Sequence, residues 1–192
     1  MCFAGQALEL YQQGYNSIEK LRCAVNAGNL TLTREQHIGL DCYEDILEDM
    51  ARDEVKSLGK IIIEAYHCIS PVQAEATIMG SYRRGNACSG DVDVLITMKD
   101  FPETIPRDAL SNLIEFLTEQ GHIAHNITQL AGVSATGRFN AKREQSIRRQ
   151  RLTKAPRSYM GVFFSPKFPG KLRRVDIKIY PYNQKAFASL CK

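Results

Sequence analysis

Two short runs, Asp91-Val92-Asp93-Val94-Leu95-Ile96-Thr97 and Arg173-Arg174-Val175-Asp176-Ile177-Lys178-Ile179, constrain the fold of this chain more than any other feature. Both are rich in β-branched residues and alternate apolar with charged positions, the period of a strand that buries one face. Val92, Val94 and Ile96 define a core face in the first run, as do Val175, Ile177 and Ile179 in the second. Asp91 and Asp93 then share the opposite face, and Asp176 falls on the corresponding face of its own strand. Carboxylates held side by side repel, which is costly unless a cation sits between them. If the two strands are neighbours, three carboxylates converge. That is enough to hold two metal ions roughly 3.5–4 Å apart for in-line phosphoryl transfer.

The residues ahead of the first run suit a phosphate. Gly80-Ser81-Tyr82-Arg83-Arg84-Gly85 is followed by Ser89-Gly90. Glycine lets backbone approach an anion closely, and an arginine such as Arg84 offers a fork of donors to neutralise it. Hard divalent ions such as Mg²⁺ take oxygen ligands and leave positions open for substrate phosphates.

The first 70 residues read as helical. Segments are expected over 6–13, closed by Gly14, and over 17–26, with Ser17 as N-cap. Thr33-Arg34-Glu35-Gln36 has the form of a capping box. A longer helix is expected over 52–67, with Val55, Leu58, Ile62 and Tyr66 on one stripe, before Ser70-Pro71 ends the helical region. Beyond it strands and helices alternate: strands over 74–79, 92–97, 158–164 and 172–180, and a helix over 110–120 closed by Gly121. The expected architecture is α+β, a helical subdomain over 1–70 followed by a mixed sheet flanked by helices over 71–192.

At 192 residues the chain has ample length for a core, and a 44% hydrophobic share argues against disorder. Its longest apolar runs, such as Ile61-Ile62-Ile63, fall far short of a membrane span, and the N-terminus lacks a charged leader followed by an apolar core. Membrane and secreted classes are therefore not expected. The six cysteines form no CxxC pair, so reduced and mostly buried thiols are expected rather than disulfides or a zinc site.

The net charge of +4 has a local source: from Arg138 to Arg157 there are eight Lys or Arg and one acid. Arg138, Lys142, Arg143, Arg148, Arg149 and Arg151 form either a solvated loop or a phosphate-binding strip.

The order Gly-Ser, then Asp-x-Asp, then a distant Asp resembles the signature of the nucleotidyltransferase superfamily. GSYRRGNACSGDVDVLIT more closely resembles the catalytic motif of the X-family DNA polymerases, most of all the lambda and beta types. The segments from Tyr11 to Arg22 and from Leu32 to Leu40, and RRVDIKIYPYNQ, are similar to other parts of that family, so the resemblance covers nearly the whole chain. It implies a fingers subdomain over 1–70 and a nucleotidyltransferase palm over 71–192. It also implies that Asp91, Asp93 and Asp176 bind two Mg²⁺, with Mn²⁺ as a substitute, and that Asp176 helps activate a primer 3′-hydroxyl. Gly80, Ser81, Arg84 and Gly90 would bind the incoming nucleotide, and the Gly-Ser pair favours template-dependent members. The implied activity is gap-filling DNA synthesis in base excision repair or end joining. It would take place in the nucleus, on gapped or primer-template DNA with dNTPs and repair-protein partners, by a monomer.

The chain departs from the family pattern in four places. The fingers hairpin is incomplete at the N-terminus. Asp49-Met50-Ala51-Arg52 stands where the family has Arg-Met/Ile-Pro-Arg. The basic stretch 137–157 resembles an insertion, and the sequence stops before a thumb. Weak or no polymerisation by this chain alone is therefore expected. The alternatives are a non-catalytic, truncated DNA-binding product of the same gene, or a nucleotidyltransferase acting on RNA ends or small molecules.

Overall fold

The computed structural model describes residues 4–70, 73–101, 103–130 and 157–190. The basic residues Arg138, Lys142, Arg143, Arg148, Arg149 and Arg151 lie outside the described residues. The chain divides into two compact units, Met1–Ile46 and Leu47–Lys192.

Within the first unit, α1 spans Ala4–Gln12, α2 Ile18–Asn26 and α3 Arg34–Asp41. Ser17 caps α2 by accepting from the Lys20 amide. Thr33 and Gln36 close a reciprocal capping box at the start of α3, which satisfies two amides that the first turn leaves unpaired. Ala24, Ile38, Leu40 and Cys42 are buried. Arg22 reaches across with both terminal nitrogens to the Glu44 carboxylate at 2.7 Å.

The second unit contains α4's last residue (α4 is Tyr43–Leu47), β1 (Met50–Ala51), α5 (Arg52–Ile69) and β2 (Ala74–Ile78). These are followed by α6 (Gly80–Arg83), β3 (Cys88–Ser89), β4 (Val92–Met98) and α7 (Ala109–Glu119). The chain then forms β5 (Ile123–Asn126), β6 (Ser158–Phe164), β7 (Leu172–Pro181) and α8 (Lys185–Leu190). Five strands make one mixed sheet in the order β2-β4-β7-β6-β5, and β1 pairs with β3 in a separate two-stranded ladder. Among the described residues only β4 and β7 run parallel; the other pairs in the sheet are antiparallel.

The sheet has two unlike faces. Val92, Val94, Ile96 and Met98 of β4, with Val175, Ile177 and Ile179 of β7, join the stripes of α5 and α7 in one core. Val55, Leu58 and Ile62 of α5 are completely buried there, each worth roughly 1.5–3 kcal/mol as an upper bound. Gly59 marks how closely α5 lies on β2, since a Cβ at that position would come within 2.5 Å of Ile78. The opposite face is covered more thinly, by α8, where Ala188 packs with Met79 and Leu95.

The unit boundary falls at residue 46 rather than at 70, because the apolar stripe of α5 packs on the sheet. Expectation and structure also differ at the cysteines. Of the four described, Cys42 is buried but Cys23, Cys68 and Cys88 are exposed. Cys23 and Cys68 sit on the exposed sides of α2 and α5, and Cys88 lies in the short outer ladder. No helix among the described residues is long and apolar enough to cross a membrane.

Candidate active site

β4 and β7 pair in parallel with Val92 opposite Val175 and Asp93 opposite Asp176. Residues in register on adjacent strands point to the same face, so the register alone makes Asp93 and Asp176 neighbours. Both leave the core face and emerge beside α8. Asp91, one residue before β4, joins them, and carboxylate oxygens of the three lie within 4.8 Å of one another. Asp93 is buried, whereas Asp91 and Asp176 are half-buried. Three hard oxygen donors this close form a set that could hold a metal ion.

The glycine turn is built against Asp93. The Met79 amide donates to the Asp93 carbonyl at 2.8 Å, and the chain then enters α6 through Gly80 at φ +57°. That conformation favours glycine, and a Cβ there would come within 2.0 Å of Asp93 Oδ2. Gly80 is thus required by both its backbone and its neighbour.

Ser81 Oγ donates to Ser89 Oγ at 2.7 Å, joining the turn to β3. Arg84, the C-cap of α6, is exposed, and Gly90 is exposed between Ser89 and Asp91. Arg52 braces the whole turn. Its guanidinium lies 3.9 Å from the centre of the Tyr82 ring and donates to the carbonyls of Tyr82 at 2.7 Å and Asn86 at 3.3 Å. Its amide donates to the Ala87 carbonyl.

Adjacent arginines on β7 serve different faces. Arg173 points to the core side, where its Nε donates to Glu54 Oε1 at 2.8 Å and its Nη1 to the Glu48 carbonyl at 3.3 Å. Ser165 also donates to Glu54 Oε1, at 2.6 Å, so the buried carboxylate is held from two elements. Arg174 shares the face of Asp176, and its Nη2 donates to Asp91 Oδ2 at 2.5 Å.

A small pocket beside the carboxylates is lined by Met79, Asp93, Leu95, Asp176, Lys178 and Ala188. Its α8 wall is held by Arg83, which donates to the Ser189 carbonyl at 3.0 Å, and by an ion pair between Lys185 and Glu75. The ammonium groups of Lys185 and then Lys99 hold the Glu75 carboxyl below its ordinary value.

The structure therefore brings Asp91, Asp93 and Asp176 together, with Gly80 against Asp93 and Ser81 next to Ser89 on the adjoining turn. Sequence reasoning singled out neither the Arg52 brace nor the Arg174 contact. The only signal for Arg174 was its place two residues before Asp176, on the same strand face.

The palm family model of DNA polymerase beta matches residues 49–182, and the fingers family model of DNA polymerase lambda matches residues 4–47. Among curated proteins, DNA polymerase lambda of Rattus norvegicus is 30% identical over 180 residues, covering 94% of this chain and 26% of the relative. The DNA-directed DNA/RNA polymerase mu of Homo sapiens is 29% identical, covering 94% of this chain and 36% of the relative. A DNA nucleotidylexotransferase of Oncorhynchus mykiss is 33% identical over 90 residues, covering 47% of this chain and 17% of the relative. The chain thus spans between about a sixth and a third of the length of these relatives.

Proposed function

Since the chain belongs to the X family of DNA polymerases, we propose that its sheet-bearing unit is a nucleotidyl-transfer palm and its helical unit a DNA-binding fingers subdomain. The reaction is attack of a primer 3′-hydroxyl on the α-phosphate of a dNTP. A new phosphodiester bond forms, the bond between the α- and β-phosphates breaks to release pyrophosphate, and the hydroxyl proton passes to Asp176 or to solvent.

The observation that carries this reading is the convergence of Asp91, Asp93 and Asp176 within 4.8 Å beside a glycine turn. An all-carboxylate set fits Mg²⁺, with Mn²⁺ as a substitute, and three acids are enough for two ions. Bound there, the ions supply Lewis acidity and make a hydroxyl easier to deprotonate. Asp176 assists activation of the primer hydroxyl. Ser81 Oγ, the Arg84 guanidinium and the Gly90 amide bind the nucleotide phosphates, aided by the close backbone approach at Gly80. The exposure of Arg84 supports this, since its donors face solvent.

The substrate is gapped or primer-template DNA. The process is gap-filling repair in the nucleus, by base excision or end joining, carried out by a monomer working with repair proteins. A one-nucleotide gap assay with Mg²⁺ or Mn²⁺ tests the reading. Metal-dependent insertion that Asp93→Ala and Asp176→Ala both eliminate is the expected result. Insertion unchanged in those variants overturns it, and salt-sensitive DNA binding with no insertion at all favours the non-catalytic DNA-binding alternative.

A further inference from the structure

We propose that Arg174 is the resident counter-cation of the carboxylate trio, pairing with Asp91 when no metal is bound and yielding Asp91 Oδ2 when one arrives. The proposal rests on the metal-binding reading above and adds to it a competitor built into the chain.

The contrast between the two adjacent arginines carries the argument. Arg173 is an ordinary buried partner: its side chain is 3% exposed, it meets both Glu54 oxygens and it donates to the Glu48 carbonyl. Arg174 is held far less completely. It makes one hydrogen-bonded ion pair, to Asp91 Oδ2 at 2.5 Å, while its Nε is buried with no hydrogen-bond partner. A structural arginine is rarely left with a buried donor unsatisfied.

Its position explains why such an arrangement persists. Three carboxylates within 4.8 Å repel strongly where water is partly excluded, so the metal-free protein needs a nearby cation to hold them together. Lys178 lies on the same strand face and lines the same pocket, but it makes no ion pair among the described residues. Arg174 does. Its side chain is about one-third exposed, which leaves a long, flexible cation a route to solvent when Asp91 exchanges it for a metal.

The test compares wild type with Arg174→Met and Arg174→Lys, following thermal midpoints with and without Mn²⁺ and Mn²⁺ affinity by electron paramagnetic resonance. Arg174→Met should lower the metal-free midpoint, recover more on adding Mn²⁺ than wild type does, and bind Mn²⁺ several-fold more tightly. Arg174→Lys keeps the charge and loses the fork, so it should fall between the two and guards against a Met variant that does not fold. Equal lowering of the midpoint with and without Mn²⁺, at unchanged or weaker affinity, would make Arg174 a structural residue and overturn the proposal. If wild type binds no Mn²⁺ that Asp93→Asn removes, the metal reading itself fails, and the proposal with it.

Discussion

Asp93 and Asp176 stand directly opposite each other on adjacent parallel strands, so strand register, not a loop, sets the distance between them. A register slip of one residue would turn one of the two into the apolar core.

Removing either carboxylate should therefore abolish chemistry without unfolding the protein. Asp93→Ala and Asp176→Ala are each expected to reduce nucleotide insertion by roughly a thousandfold or more, the scale of several kcal/mol of lost charge stabilisation. The thermal midpoint should hold or rise, because each change relieves carboxylate repulsion. Single-turnover insertion measured beside a melting curve checks both halves.

Gly80→Ala should damage stability and metal binding together. The φ of +57° strains any other residue, and the new methyl would push on Asp93 Oδ2. A loss of about 1–3 kcal/mol in urea denaturation is expected, with weaker Mn²⁺ binding. Wild-type Mn²⁺ affinity in this variant would show that Asp93 does not depend on the glycine.

Arg52→Ala should act through the phosphate turn. The two carbonyl hydrogen bonds and the Tyr82 ring contact hold the segment that carries Ser81 and Arg84. Losing one such charged brace is worth about 1.5–3 kcal/mol, so nucleotide KM should rise roughly tenfold or more with kcat affected less. Steady-state kinetics in dNTP separates this from a general loss of fold, which would lower the apparent kcat and leave KM unchanged.

Much of this site is legible in the sequence, because one β-strand period both buries the core and exposes the acids. Val92, Val94 and Ile96 do pack in the core, and Asp93 does leave it. The capping box at Thr33 and the stripe of α5 are equally legible, since both are local patterns. What stays hidden depends on contacts between distant segments. The β1–β3 ladder has two residues per strand, too few to carry a period. The Glu54–Arg173 pair joins residues 119 positions apart, and nothing near either one announces the other. The unit boundary is misread because a helix shows which of its faces is apolar, not what that face will pack on.

Glu54→Ala should be among the most destabilising single changes outside the apolar core. It removes the carboxylate nearest the Arg173 guanidinium, whose side chain is 3% exposed, and breaking a buried pair from one side costs about 3–5 kcal/mol. Replacing both, as Glu54→Leu with Arg173→Met, should cost much less. Urea denaturation of the single and double variants distinguishes this from independent contributions.

Acid should loosen the helical unit through Glu44. The Arg22 guanidinium lowers its carboxyl from 4.5 to about 2, so the pair's stabilisation is complete above pH 4.5 and disappears as the pH falls through about 2. The stability gap between wild type and Glu44→Gln should therefore be flat near neutrality, close on acidification, and shrink in salt, because the pair is solvent-exposed. A gap that widens in acid would contradict the assignment.

Asp91, at the entrance to β4, and the Arg174 of β7 that contacts it are 83 residues apart in sequence, and the two strands pair in parallel. During synthesis, two of the three acids leave the ribosome long before the third is made. They must wait through a crossover that is slow to close, because long loops and non-local strand pairing delay folding. A nascent chain halted within that crossover would carry only two of the three acids, so the trio is complete only once β7 has docked beside β4.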